Sequence, residues 1–384
     1  MSGPAAIMSR VFSRAKGLRL SQNEMARLSG LPAERLADIR GGAVPSAHEY
    51  EQLCRAVAVD PSALYCGKDC DPERTPRRFR MAFSVDRPNP ADIRQLALAA
   101  EQGRILAFFL RLLGKEVALE GHRKIQPVSG KVVTWQEGYD LGEQARCDLG
   151  VPEGPIVDLE GLLRELGVHV ARVRFSSPDL DAACVWEKGA AAVILLNRTS
   201  PRVEHPGARR STLAHELCHL LHDAGARDSL TTRVSWGAES VGNYAERIEV
   251  RARAFAPAFL APRDQIVAWY KHLPRRIRSS DFEVVKSLAA QWGFSFEGAA
   301  WHAKNCQILS AQKAEELASQ SNRPSIPYDR FETSRAGAPP SVVNASLPDR
   351  PADLWDGWAT EIVLSALDEG CISLGLAREL LSWA

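Results

Sequence analysis

Helical periodicity over most of the chain, three short strand-like runs confined to residues 168–197 and a proline-rich break before a final helical run predict an α+β, mostly helical fold. The order is a bundle of short N-terminal helices, a core carrying a small β-sheet, and a C-terminal helical region. Residues 10–65 read as short helices with tight connections, where Pro32 fits a first helical turn and Gly41-Gly42 ends the third helix. A connector over 71–125 follows, in which a basic stretch (Arg74, Arg77, Arg78, Arg80) leads into a long apolar-rich helix. From about 126 to 270 the pattern changes. Two helices, WQEGYDLGEQARCDLG and DLEGLLRELG, precede the strands VHVARVRF, AACVWEK and AAVILLN. The helix TLAHELCHLLHDAG, a polar loop over 226–241 and the helix NYAERIEVRARAFAPAFL complete that unit. Residues 271–320 read as a small helical domain, 321–352 as an extended linker holding six prolines, and 353–384 as a closing helical segment, with 1–70 forming the first domain.

The chain has 384 residues and 45% hydrophobic content, enough to bury a core in at least one of several domains. Lys and Arg total 48 against 47 Asp and Glu, so no whole-molecule field drives binding to nucleic acid or anionic membranes. Any nucleic-acid contact must be local. No apolar run is long enough for a signal peptide or a membrane span, which predicts a cytoplasmic protein. The eight cysteines are scattered at 54, 66, 70, 147, 184, 218, 306 and 371, as reduced thiols rather than a disulfide framework.

The chemistry-bearing pattern is His215-Glu216-Leu217-Cys218-His219. On a helix, histidines four apart lie one turn above each other and can share one cation, with Glu216 beside them as a general base. A catalytic zinc takes three protein ligands, so a third is needed. His222 is a further turn along, about 10 Å of rise from His215, and suits a supporting or oxyanion role better than ligation. In the next helix Glu249 shares a stripe with Ala245, Ala252 and Ala256, small residues that let a carboxylate approach an ion. Tyr244 is a second oxyanion candidate.

HELCHLLH, followed after a loop by Glu249-Val250-Arg251-Ala252-Arg253-Ala254-Phe255-Ala256-Pro257 and Leu260-Ala261-Pro262, resembles the ImmA/IrrE-type zinc metallopeptidases. The resemblance extends upstream through EQARCDLGVPEGPIVDLEGLLRELGVHV and the strand ending LLN. It implies a zincin-like core over 126–270, one Zn²⁺ per chain on His215, His219 and Glu249, and Glu216 as catalytic base for metal-assisted amide hydrolysis. Arg253 departs from that pattern, standing where the family carries Asn, Asp or His. The strand from Ala191 to Asn197 is expected to offer a sheet edge to an extended substrate. Cys184, on the strand before it, is a candidate latency switch whose thiolate would take the open metal position.

Leu20-Ser21-Gln22-Asn23-Glu24-Met25-Ala26-Arg27-Leu28-Ser29-Gly30-Leu31, continued by Pro32 to Arg40, resembles the Xre, lambda-repressor-like helix-turn-helix. That resemblance implies DNA contact within 19–45, through Gln22, Arg35 and Arg40. Together the two resemblances imply a regulatory endopeptidase whose substrate is a helix-turn-helix repressor and whose cleavage derepresses a stress, mobile-element or phage-related response. The rival expectation is a DNA-binding transcription regulator or antitoxin-like protein whose zinc domain senses without turnover. Homo-oligomerisation is left open by the sequence.

Overall fold

The computed structural model describes residues 4–59, 61, 89–126, 134–223, 229–235, 244–321, 323–331 and 357–382. The basic stretch Arg74–Arg80 and most of the proline-rich segment lie outside them. The chain divides into two compact units, Met1–Phe108 and Phe109–Ala384.

The first unit contains α1 (Pro4–Gly17), α2 (Gln22–Ser29), α3 (Ala33–Arg40), α4 (Ala47–Ala56) and most of α5 (Pro90–Leu112). Local sequence sets these boundaries. Ser21 with Glu24 and Ser46 with Glu49 form capping boxes that satisfy the first amides of α2 and α4. Gly30 ends α2 in the left-handed region at φ 71°, which a β-carbon would resist. Val11, Leu18, Met25, Leu36, Ile39 and Leu53 fill the core. Two arginines bond the carbonyls at the end of α4. Arg14 donates to Val57 and Ala58 at 3.0 and 2.8 Å, and Arg94 to Ala56 and Arg55 at 3.0 and 3.2 Å.

The second unit opens with α6 (Leu119–His122), α7 (Thr134–Asp148) and α8 (Leu159–Glu165). The strands β1 (Val168–Val173), β2 (Leu180–Glu187) and β3 (Ala192–Asn197) then lead to α9 (Pro201–Glu204) and α10 (Pro206–His222). A strand β4 (Ser229–Ser235) and α11 (Tyr244–Leu260) complete the core of this unit. The sheet order is β1-β3-β2-β4, with β1 parallel to β3 and the other pairs antiparallel. Two expectations change here. Part of the predicted polar loop 226–241 is the fourth strand, an edge strand that forms by pairing with β2. And β3 lies between β1 and β2, buried at every position, so it offers no edge to a substrate. Its apolar run already marked it as a central strand.

Asn197 closes β3. Its amide donates to the carbonyls of Ser177 and Leu180 at 2.9 and 2.7 Å, while its oxygen accepts from Phe175 N, Thr199 N and Thr199 Oγ1. This fixes the turn that launches α9 and α10.

The helices α12 (Arg263–His272), α13 (Arg275–Arg278), α14 (Asp281–Trp292), α15 (Phe296–Asn305) and α16 (Ala311–Ala318) follow. The described start of the proline-rich stretch is anchored rather than free: Ile326 and Phe331 are buried, and Tyr328 Oη donates to Phe294 O at 2.8 Å. The closing segment, expected as one helix, is two, α17 (Trp358–Asp368) and α18 (Leu374–Ser382), broken at Gly370 with φ 70°.

The contact that places α11 is with α7. An added Cβ at Gly138 would lie 2.3 Å from Arg251 O and 2.8 Å from Ala254 Cβ, and at Gly142 it would lie 2.6 Å from Phe255 O. Side chains cannot be accommodated there. A buried polar chain supports the same helices: Asn305 Nδ2 donates to Tyr139 Oη at 2.8 Å, Tyr139 Oη to His302 Nδ1 at 2.9 Å, and His302 Nε2 to Ala261 O at 2.8 Å. The carbonyl can only accept, so the imidazole carries its proton on Nε2.

Gly138→Ala and Gly142→Ala are each expected to cost about 1–3 kcal/mol through overpacking, read as lowered urea midpoints. Gly121→Ala, with nothing within 4 Å of the new Cβ, should change little by comparison. Burial lowers the pKa of His302 from 6.5 to about 4. The neutral imidazole is therefore the form that folding favours. Its contribution is present above about pH 6.5 and is lost as pH falls toward 4, by up to about 3 kcal/mol. Urea unfolding at pH 7 and pH 4.5 measures this loss, which His302→Gln should remove.

Candidate metal centre

α10 starts at Pro206, a residue suited to a first helical position, with His205 Nδ1 accepting from Ala208 N at 3.3 Å. The helix is buried on nearly every side, and Gly207 lets it pass against Phe294 and Ser295, where a Cβ would meet Ser295 N at 2.4 Å. A helix held in this way presents His215 and His219 one turn apart on one face, both fully buried, with their rings edge to face at 4.7 Å between centroids.

Their Nε2 atoms are 2.9 Å apart. Glu249 Oε2 lies 3.2 Å from His215 Nε2, and Glu249 Oε1 lies 3.5 Å from His219 Nε2. Three donors bonded tetrahedrally to one zinc at about 2.0–2.2 Å are separated by about 3.3–3.6 Å; the two histidine–carboxylate spacings are close to that, and the 2.9 Å between the imidazoles must open by a few tenths of an ångström to hold one ion. Among the described residues this is the group of three or more His, Cys, Asp or Glu side chains close enough to share a metal. Glu249 is 25% exposed while both imidazoles are at 0%, so solvent reaches the group on the side of α11. The two surface hollows of about 300 and 480 Å³ include none of the three residues in their linings.

The electrostatics match a cation site. For Glu249 burial favours the neutral acid, but His219, His215 and Arg253 outweigh it and bring its pKa down to about 2. For His219 burial opposes the charge, yet Glu249, Asp223 and Glu216 carry it up to about 9. Glu216 is fully buried, and that burial raises its pKa against the pull of His219, His215 and a hydrogen bond with Cys184.

Other expected site residues take different places. Cys184 is buried on β2 with its thiol at Glu216, outside the ligand group, so a metal-coordinating latency role would require it to leave the base. His222 pairs through Nδ1 with Lys124 O at 3.1 Å, packs its ring against Phe255 and is not a member of the ligand group. Tyr244 opens α11, and its side chain lies outside the described residues. In the first unit Gln22 is exposed at the start of α2, and Arg40 is exposed with its guanidinium carbon 5.8 Å from the Phe12 ring centre. Arg35, the third residue expected to face DNA, gives Nε and Nη2 to Glu49 at 2.7 and 2.9 Å and also bonds Val44 O. Its donors brace α3 to α4.

The sequence reading missed the support behind His219. Asp223 follows it by four residues, the same interval that pairs the two histidines, and its Oδ2 meets His219 Nδ1. Asp223 Oδ1 meets Arg251 Nη2. The last four carbonyls of α10 are all satisfied: His219 O by Asp223 N, Leu220 O by Arg123, Leu221 O by Lys124 N and His222 O by Gln126 N. Segment 123–126 thus straps the end of the helix.

His215→Ala and Glu249→Ala should each abolish tight metal binding, whereas Cys218→Ala should keep it. Metal content of the purified chains by atomic absorption is the check.

No curated protein matches the chain. Residues 163–301 match the family model for the IrrE N-terminal-like domain, Peptidase_M78. That span holds β1 to β4, α10 and α11, and with them His215, His219 and Glu249; the chain carries an M78 metallopeptidase domain.

Proposed function

We propose that the protein is a zinc-dependent regulatory endopeptidase that hydrolyses peptide bonds in a helix-turn-helix transcriptional repressor. The observation that carries the reading is Glu216. A metal scaffold or sensor needs two imidazoles and a carboxylate, but has no need of a second, fully buried carboxylate on the same helix as the histidines.

His215, His219 and Glu249 would hold the ion, and zinc is the metal the matched family implies. When bound, zinc supplies Lewis acidity, which polarises a peptide carbonyl and acidifies water. Glu216 takes the proton from the attacking water and returns it to the departing amide nitrogen. Its raised pKa suits both transfers, because a base poised closer to neutrality also serves as an acid. An extended substrate adds to the outer edge of β4 in this reading. That strand pairs Thr232 with Cys184, the residue bordering Glu216.

For the first unit, the reading takes α2 and α3, joined through Gly30, Leu31 and Pro32, as an Xre-like helix-turn-helix that brings the peptidase to its target. Gln22 and Arg40, both exposed, and Arg35, whose guanidinium is braced by Glu49, are its DNA-facing residues. Among the described residues no helix is long and apolar enough to cross a membrane, and the reading places the protein in the cytoplasm, where repressors are found.

The full chain incubated with the helix-turn-helix repressor encoded beside it should cleave that repressor. Glu216→Gln should keep its zinc and lose about 10²–10⁴-fold in rate. Stoichiometric zinc without cleavage of any repressor tried, in both wild type and variant, would favour the sensor alternative.

A further inference from the structure

We propose that Asp223 and Arg251 are positioning residues that fix which nitrogen of His219 faces the metal site. This rests on the metal-centre reading above and adds residues that it does not use. An imidazole can bind an ion through Nε2 only when that nitrogen is unprotonated, which puts the remaining proton on Nδ1. Nδ1 of His219 faces Asp223 Oδ2, an acceptor only, so the carboxylate selects the tautomer in which Nε2 points its lone pair at His215 Nε2 and Glu249 Oε1, 2.9 and 3.5 Å away.

The carboxylate is itself held. Asp223 is 4% exposed, and its second oxygen accepts from Arg251 Nη2. Arg251, 1% exposed, places Nη1 at 3.1 Å from Glu137 Oε1 and 2.6 Å from Gln126 O. Behind the His219 ring, neutral as a metal ligand, Asp223, Arg251 and Glu137 form a line in which charges alternate in sign, drawn from the cap of α10, α11 and α7. Gln126 belongs to the strap over the end of α10. Replacing Asp223 or Arg251 would strand a buried charge.

One feature separates positioning from simple packing. α11 meets the His219 ring at both nitrogens, directly through Glu249 at Nε2 and through Arg251 and Asp223 at Nδ1. A displacement of α11 would therefore move a ligand and release the tautomer lock together. Loss of the line should be felt as weaker metal binding even in a chain that remains folded.

The test uses the full chain with zinc alone, its affinity measured by chelator competition and its site geometry by the visible spectrum of the cobalt-substituted protein. Asp223→Asn keeps the size but lets an amide N–H face Nδ1, which favours the wrong tautomer. It should weaken zinc about 10–100-fold and alter the cobalt spectrum, while Asp223→Glu recovers part of the affinity. Arg251→Lys, a milder change that cannot serve Asp223 and Glu137 with a fork, should weaken zinc about 3–10-fold and provides a second reading if Asp223→Asn does not fold. Unchanged affinity and spectrum in folded variants would overturn the relay alone. A wild-type chain that binds no zinc would overturn the metal centre beneath it, and cleavage plays no part in either result.

Discussion

With no room for a β-carbon at Gly138 or Gly142, α7 and α11 meet backbone to backbone, and the position of Glu249 follows from that contact. The ligand carboxylate has to come within 3.2 Å of one imidazole and 3.5 Å of the other, tolerances that a helix displaced by one methyl group would exceed. Small residues occur on both partners, glycines on α7 and Ala254 and Ala258 on α11. The close approach thus sets the metal geometry from a distance, without any of these residues touching an ion. Arg251 and Glu249 ride on the same helix, so the support behind His219 depends on that approach as well.

A helix as buried as α10 must dispose of polar groups that water would otherwise satisfy. Its terminal carbonyls are covered by the strap and the Asp223 amide, and the charges behind His219 are paired one against the next. The cluster of Nε2 and carboxylate atoms is different in kind. Two imidazole nitrogens 2.9 Å apart beside a carboxylate whose pKa is brought to about 2 gather three ligand atoms around a small space. A divalent cation relieves the desolvation of all three at once, which is the physical sense of burying them together.

Much of this was legible in residue spacing. The interval of four put His215 and His219 together, and the alanine stripe singled out Glu249 over Glu246. Likewise, the three apolar strand runs appear where their periodicity placed them. What the sequence did not show depends on partners remote along the chain. SLTTRVS lacks the apolar alternation of a self-evident strand and becomes one only beside β2. The pairing of Arg35 with Glu49, on the next helix, likewise shows only in the fold. Asp223 sits just past the helix end, where an acid reads as a polar cap, and only the fold shows it behind His219. The Gly138–Gly142 pair reads as a weakness within a helix until α11 is laid against it.

α10 divides the chemistry between two supports. His215 and His219 face α11, whose place is set by α7, while Glu216, one residue and about 100° further round, is met by Cys184 from the sheet. The two histidines and Glu216 therefore answer to different neighbours, although they lie within five consecutive residues. In the proposed mechanism, changes on the α7 side act first on metal binding, and changes on the β2 side act first on proton transfer. The central strand β3 fixes β2 in register, so that Cys184, opposite Ile194, lies at Glu216 rather than in the group of candidate ligands. For the proposed peptidase, separate control of ion and proton on one helix follows from this arrangement, and it requires both the sheet and the close helix pair to be in place.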